Sequence, residues 1–230
     1  MANDYFRFKK FTVWQGGCAM KVGTDGTLLG AWAEGGRRIL DVGTGTGLIA
    51  MMMAQRFPQA DVVGIDVEHG ACVRAQGNVD ASVFKGRIGI VETPLQAFRE
   101  GEFDAIVSNP PFFVDSLNCP DSSRTMARHA VTLTYAELFR GVCPLLTDGG
   151  VFSAIIPFDS RERFECAAVE SGMFLSRVCT VRTVPRKSPR RCLLSFRKHP
   201  SEVRVEDECI EDGAGHRSKW YSELTKDFYL

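Results

Sequence analysis

At 230 residues and 44% hydrophobic, the chain can bury a full core as one domain, and its 28 basic and 28 acidic side chains cancel to a formal net charge of zero. No run of about 18 apolar residues occurs, and Met1-Ala2-Asn3-Asp4 lacks the basic-then-apolar order of a secretory signal, which points to a soluble, cytoplasmic protein without a membrane span. Eight cysteines with no Cys-x-x-Cys pair and no histidine cluster argue against a zinc site and against a disulfide framework; reduced, mostly buried thiols and no bound metal are expected.

The first stretch, Tyr5 to Val13, alternates aromatic and basic residues with period two and reads as a strand before a turn at Gln15-Gly16-Gly17, in a hairpin outside the main sheet. Its Phe8, Lys9 and Lys10 interleave ring and charge, a pattern that can stack bases and hold phosphates; an amphipathic strand with solvated charges accounts for it equally. Lys21-Val22-Gly23-Thr24-Asp25-Gly26 then leads into an apolar helix, Thr27 to Ala33, that Thr24 or Asp25 can cap. Polar residues at that helix start, Lys21, Thr24 and Asp25, can also face a ligand. Residues 1–33 are read as an N-terminal extension and 34–230 as the catalytic domain.

Arg37 to Asp41 is a first core strand that runs into Val42-Gly43-Thr44-Gly45-Thr46-Gly47 before a helix from Leu48 to Arg56. Strand, glycine loop and helix make a nucleotide-binding arrangement, because glycines let backbone approach a ligand and the helix start offers unpaired N–H groups. The spacing Asp41-x-Gly43-x-Gly45-x-Gly47 departs from the dinucleotide fingerprint G-x-G-x-x-G, and an acidic residue at the strand end suits an ammonium better than a pyrophosphate. The second strand, Asp61 to Asp66, ends in a carboxylate about twenty residues beyond the glycines, where a ribose diol can donate to it. A helix from about Glu68 to Asp80 and a strand from Arg87 to Val91 follow.

The fourth strand, Phe103 to Val107, ends in Ser108-Asn109-Pro110-Pro111-Phe112. Two prolines fix φ and remove two backbone donors, so the turn cannot relax into a helix. The Asn109 side-chain oxygen and the Pro110 carbonyl can then accept the two hydrogens of a planar NH₂ group, and Phe112 offers a face for the attached ring. Phe113 serves as a second ring or as the turn's core anchor. Leu117 to Thr132 reads as a loop over the site, with Arg124 and Arg128 as RNA contacts or a solvated surface and His129 as a structural residue.

Thr134-x-x-Glu137 is a capping box opening a helix through Leu146, Val151 to Ile156 is the fifth strand, and Asp159-x-x-Glu162 caps a helix through about Glu170. Phe174 to Arg182 and Cys192 to Arg197 read as an antiparallel hairpin at the sheet edge. Its loop carries Arg186, Lys187 and Arg190 with no acidic residue, a candidate RNA contact or a solvated surface, and the acidic stretch Glu202 to Asp212 offsets the charge. Ser218 to Leu230 is an amphipathic tail that Tyr221, Leu224 and Phe228 can pack against the body.

Alternating strands and helices, Asp-x-Gly-x-Gly-x-Gly, an acidic second strand and Asn-Pro-Pro-Phe after the fourth together resemble class I S-adenosylmethionine-dependent methyltransferases. More narrowly, Phe8-Lys9-Lys10-Phe11, the run from Met20 to Trp32, Asn-Pro-Pro-Phe-Phe and the ending Thr225 to Leu230 resemble the bacterial tRNA-valine adenine N(6)-methyltransferase family, essentially end to end. That resemblance implies an α/β Rossmann-like fold with a seven-stranded, mostly parallel sheet, helices on both faces and an antiparallel last strand. It also implies S-adenosylmethionine as cofactor and the adenosine 3′ of the anticodon in a valine tRNA as substrate. Pro94 stands where such enzymes often place an acidic residue for the cofactor's adenine, so that contact falls to another group, such as a backbone amide near Leu95. Guanine N(2) of ribosomal RNA and protein glutamine present a similar planar NH₂ and are alternative substrates. A nicotinamide-dependent oxidoreductase leaves the Asn-Pro-Pro-Phe turn unexplained, and a non-catalytic RNA-binding module leaves Asp41, Asp66 and Asn109 unexplained.

Overall fold

The computed structural model describes residues 4–16, 22–111 and 133–230. At the start, β1 (Tyr5–Arg7) and β2 (Thr12–Trp14) pair antiparallel outside the main sheet. The single strand expected from Tyr5 to Val13 is therefore two short ones, folded back at Phe8-Lys9-Lys10-Phe11. Phe8 N–H donates to Phe11 O at 2.8 Å across this turn, and both rings are buried.

Helix α1 (Thr24–Trp32) begins three residues earlier than its apolar run implies, and its N-cap is Gly23 with no side-chain cap, so neither Thr24 nor Asp25 caps it. Then β3 (Arg38–Val42), α2 (Leu48–Arg56), β4 (Asp61–Asp66), α3 (His69–Asp80), β5 (Ile88–Glu92) and β6 (Phe103–Ser108) follow the expected alternation closely. Helix α4 (Tyr135–Val142) opens on the capping box, with the Thr134 hydroxyl accepting from Glu137 N–H and the Glu137 carboxylate from Thr134 N–H. It stops earlier than expected because Pro144 lacks a donor, and Cys143–Leu145 forms one tighter turn instead. Next come β7 (Leu146–Pro157), α5 (Arg161–Glu170), β8 (Phe174–Arg182), β9 (Arg191–Arg197), β10 (Arg204–Cys209) and α6 (Lys219–Thr225). Asp159 lies in a short turn before α5, whose N-cap is Ser160, so the expected Asp159 cap is absent.

The main sheet runs β10-β8-β9-β7-β6-β3-β4-β5, parallel except for β9, which is antiparallel to both neighbours. The seven expected strands are β3 to β9; the antiparallel one is last among them in sequence but sits between β7 and β8. An eighth strand, β10, occupies the edge expected for the hairpin. Its sequence, Arg-Val-Glu-Asp-Glu-Cys, carries no apolar alternation. Besides its backbone ladder with β8, polar side chains hold it: Glu206 accepts from Arg177, and Asp207 from Thr180 and Arg182.

Alternating residues of the strands feed two cores. Ile39, Ala105, Val107, Ile155 and Leu193 pack with α1 and α2, together with the hairpin rings and the tail's Tyr221 and Phe228. Leu40, Ile106, Phe152, Leu194 and Phe196 pack with Leu138, Phe139, Val142 and Phe164 on the opposite face. The tail closes onto the hairpin, with Lys9 N–H donating to Phe228 O at 2.8 Å and the hydroxyls of Tyr221 and Tyr229 2.9 Å apart. Of the six described cysteines none is in a disulfide; Cys72, Cys179 and Cys192 are buried and Cys166 is exposed. Among the described residues no helix is long and apolar enough to cross a membrane.

Candidate active site

Chain order reverses at β3: β4 and β5 extend the sheet on one side, β6 and β7 on the other. Loops leaving the C-terminal ends of β3 and β6 therefore diverge over a crevice, where ligands of open α/β sheets bind. Val42 pairs with Ser108 in register, and Ser108 Oγ donates to Val42 O at 2.9 Å, locking the two strand ends together. The glycine loop and Asn109 begin one residue later on each strand.

Gly43, Gly45 and Gly47 all have positive φ, at 73°, 56° and 79°, a region that side chains reach only at a cost. The loop folds back on β4: Gly43 and Thr44 N–H both donate to Ile65 O, at 2.9 and 3.0 Å, and Gly45 N–H to Asp66 Oδ2 at 2.9 Å. A Cβ built on Gly43 meets nothing within 4 Å, so the loop borders open space. That space is a cavity of about 380 Å³ lined by Val22, Gly23, Thr24, Asp25 and Gly26 from the start of α1, Gly43 to Thr46, Leu48 and Ile49, together with Asn109 and Arg191. Segments far apart in sequence thus meet at one switch point.

Expected site residues divide by position. Thr24, Asp25, Gly43, Thr44, Gly45 and Asn109 line the cavity. Gly47 is buried and, as the left-handed N-cap of α2, turns the chain into that helix. Asp66 stands beneath the loop; its second oxygen accepts from Glu68 N–H at 3.0 Å. Asp41 is a correction, because its carboxylate is fully buried behind the loop rather than facing the cavity. Oδ2 accepts from the Thr44 hydroxyl at 2.7 Å and from Ala50 N–H at 3.1 Å, tying the glycine loop to the first turn of α2, while Oδ1 has no hydrogen-bond partner among the described residues. Pro110 is buried and Pro111 exposed. Lys21, Phe112, Phe113, Arg124, Arg128 and His129 lie outside the described residues.

Among the expected RNA contacts, Phe8 is a second correction. It is 1% exposed, with its ring centroid 4.8 Å from Phe11 and 5.9 Å from Tyr229, so its face is spent on the core. Lys9, Lys10, Arg186, Lys187 and Arg190 are exposed. Because Arg191 opens β9 opposite Pro157 at the C-terminal end of β7, the loop carrying Arg186, Lys187 and Arg190 stands on the same edge of the sheet as the cavity. Near the expected adenine contact, Leu95 is buried, and Glu92 Oε2 lies 2.6 Å from His69 Nδ1 beside Asp66.

Arg191, which the sequence suggests only as the end of the basic loop from Arg186 to Arg191 and so as an RNA contact, instead lines the cavity. Its Nε donates to Asp25 Oδ2 at 2.8 Å. Nothing in one sequence marks that pair, since its members are 166 residues apart.

Burial pushes the Asp41 carboxyl from 3.8 up to about 7, with the Thr44 and Ala50 bonds opposing the rise and the Asp66 charge adding to it. The folded value lies above the unfolded one, so between about pH 4 and 7 the native chain holds the extra proton and Asp41's contribution to stability falls as pH rises. Asp41→Asn is expected to flatten the pH dependence of the denaturation midpoint across that window. A variant whose midpoint tracks the wild type in parallel contradicts this.

The residues fit S-adenosylmethionine. A positive-φ glycine loop leaves room for a ligand, the Asp25 carboxylate lines the cavity for a cationic group, and Asp66 stands beneath the loop at the end of the second strand. Sheet order, switch point and loop are those of a class I S-adenosylmethionine-dependent methyltransferase. Solved structures share the fold: a predicted O-methyltransferase from Agrobacterium tumefaciens superposes with a TM-score of 0.69 at 18% identity, over 89% of this chain and 96% of its own. TrmN from Thermus thermophilus gives 0.54 at 22% identity, over 75% and 47%.

The family model described as methyltransferase small domain matches residues 24–134. Full-length likeness is more specific. A protein of Bacteroides thetaiotaomicron named tRNA1(Val) (adenine(37)-N6)-methyltransferase is 47% identical over 100% of this chain and 99% of its own. Proteins of the same name from Parabacteroides distasonis and Tolumonas auensis are 45% and 36% identical, each over 100% of this chain and at least 98% of their own. The chain belongs to the tRNA1(Val) (adenine(37)-N6)-methyltransferase family.

Proposed function

We propose that this methyltransferase modifies N(6) of the adenosine 3′ of the anticodon in a valine tRNA. The observation that supports it best is Asn109 at the switch point, lining one cavity with the glycine loop. When bound, S-adenosylmethionine supplies a methyl group on a cationic sulfur, already electrophilic without a protein base. In this reading Thr24, Asp25, Gly43, Thr44 and Gly45 hold the cofactor, Asp66 accepts from its ribose, and Asp41 and Gly47 keep the loop in shape. Residues 1–33 are the extension that walls the cavity at Thr24 and Asp25, and 34–230 the catalytic domain.

The chain's main task is the nucleophile. An adenine amino lone pair is delocalised into the ring, and hydrogen bonds from its two N–H groups to the Asn109 side-chain oxygen and the Pro110 carbonyl favour a pyramidal nitrogen. Both bonds strengthen as positive charge develops there. Phe112 is the ring face for the unstacked base, whose extrusion costs a few kcal/mol and whose stacking returns about 1–3. Exposed Arg186, Lys187 and Arg190, with Lys9 and Lys10, meet the RNA backbone.

Two experiments test this reading. Methyl transfer to an unmodified valine tRNA transcript is expected, and none to the same transcript with inosine at the target, which lacks the amino group; equal transfer to both contradicts the assignment. Reversing charge at Arg186, Lys187 and Arg190 together is expected to weaken tRNA binding and to lower the slope of log affinity against log salt by roughly 2–3, at about 0.7–0.9 for each phosphate no longer neutralised, with cofactor affinity spared. Equal loss of RNA and cofactor binding instead marks a purely structural hairpin.

A further inference from the structure

Asp41, the acidic residue of the glycine-loop motif, is poorly placed to meet a ligand. It is fully buried, it does not line the cavity, and its Oδ2 is committed to Thr44 and Ala50. At neutral pH its raised value leaves it divided between charged and neutral forms. A weakly charged acceptor behind a loop selects poorly for a cation.

Asp25 differs on each count. It lines the cavity from the first turn of α1, and 23% of its side chain is exposed. Its Oδ2 accepts from Arg191 Nε, which fixes its orientation. A carboxylate offers about four acceptor positions, and this bond uses one. The cavity's lining, Val22, Gly23, Thr24, Gly26, Leu48 and Ile49 beside the glycine loop, is otherwise neutral apart from Arg191, so Asp25 is its single acidic group among the described residues.

We propose that Asp25, positioned by Arg191, is the carboxylate that receives the cofactor's α-ammonium, while Asp41 maintains the loop. This deepens the S-adenosylmethionine-dependent reading and rests on it. Arg191 is a positioning residue: it acts on the cofactor through Asp25, and it links the start of β9 to the start of α1.

Titration calorimetry of the full chain separates the two roles. S-adenosylhomocysteine carries the amino-acid end, and 5′-methylthioadenosine lacks it. Asp25→Asn is expected to weaken S-adenosylhomocysteine binding by roughly tenfold to a hundredfold, as for a lost charge-assisted hydrogen bond, and to change 5′-methylthioadenosine binding by less than about twofold. Arg191→Met should show the same selective loss, and Arg191→Lys should recover part of it. Asp41→Asn should affect both ligands alike. Equal losses on both ligands for Asp25→Asn, no loss at all, or a selective loss confined to Asp41→Asn would each overturn the proposal. A wild-type chain that binds neither ligand would remove the methyltransferase reading itself, and no RNA enters the experiment, so the tRNA assignment stands or falls separately.

Discussion

Asn109→Ala should lower kcat for methyl transfer by about 10²–10³, the usual cost of removing one preorganised polar group from a transition state, while leaving cofactor affinity within a few-fold of wild type. The split follows from where Asn109 sits. It reaches the cavity from the end of β6, and Ser108, the residue before it, is bonded to Val42 O, so the strand end keeps its position when the amide is removed. The glycine loop is held separately, by Ile65 O and by Asp66. Single-turnover rates against bound-cofactor affinity provide the check. A variant that loses cofactor affinity as steeply as rate would place Asn109 in binding alone.

The largest expected loss of stability is at Phe139. This ring of α4 is fully buried and meets Phe164, Phe196 and Phe152 at centroid distances of 4.8, 5.1 and 5.4 Å, two of the three edge-on. It joins α4, α5, β7 and β9 on one face of the sheet. Phe139→Ala should cost about 3–5 kcal/mol in denaturant unfolding, from lost burial, the cavity left behind and the loss of favourable ring geometry. Phe139→Leu should cost distinctly less because it refills most of the volume. A cost under about 1 kcal/mol for the alanine variant would show that the face collapses around the gap.

Elements whose residues carry their own signal are legible in the sequence. Leu48–Arg56 and Asp61–Asp66 have the expected bounds because a glycine loop and terminal aspartates punctuate them. The Thr134 capping box is readable because both of its bonds are local. What escapes depends on residues distant in sequence. Phe8 looks like a ring on an alternating strand, yet the chain reverses there and the ring enters a cluster with Tyr229. Strand β10 is held at its edge partly by Arg177 and Arg182, which its own residues do not announce. The site is half legible: glycines and Asn-Pro-Pro mark themselves, whereas Arg191 joins only once β9 is threaded between β7 and β8. Asp41 looks like a ligand from its place in the motif, but a residue on that face of β3 points at the first turn of α2.

The most direct test of the central claim is the identity of the methylated product. Labelled S-adenosylmethionine, unmodified valine tRNA and the wild-type chain should yield N(6)-methyladenosine on nuclease digestion, mapped to the nucleotide immediately 3′ of the anticodon. Label in N(2)-methylguanosine, or no transfer to any tRNA alongside clear cofactor binding, would contradict the account and turn attention to ribosomal RNA and protein glutamine.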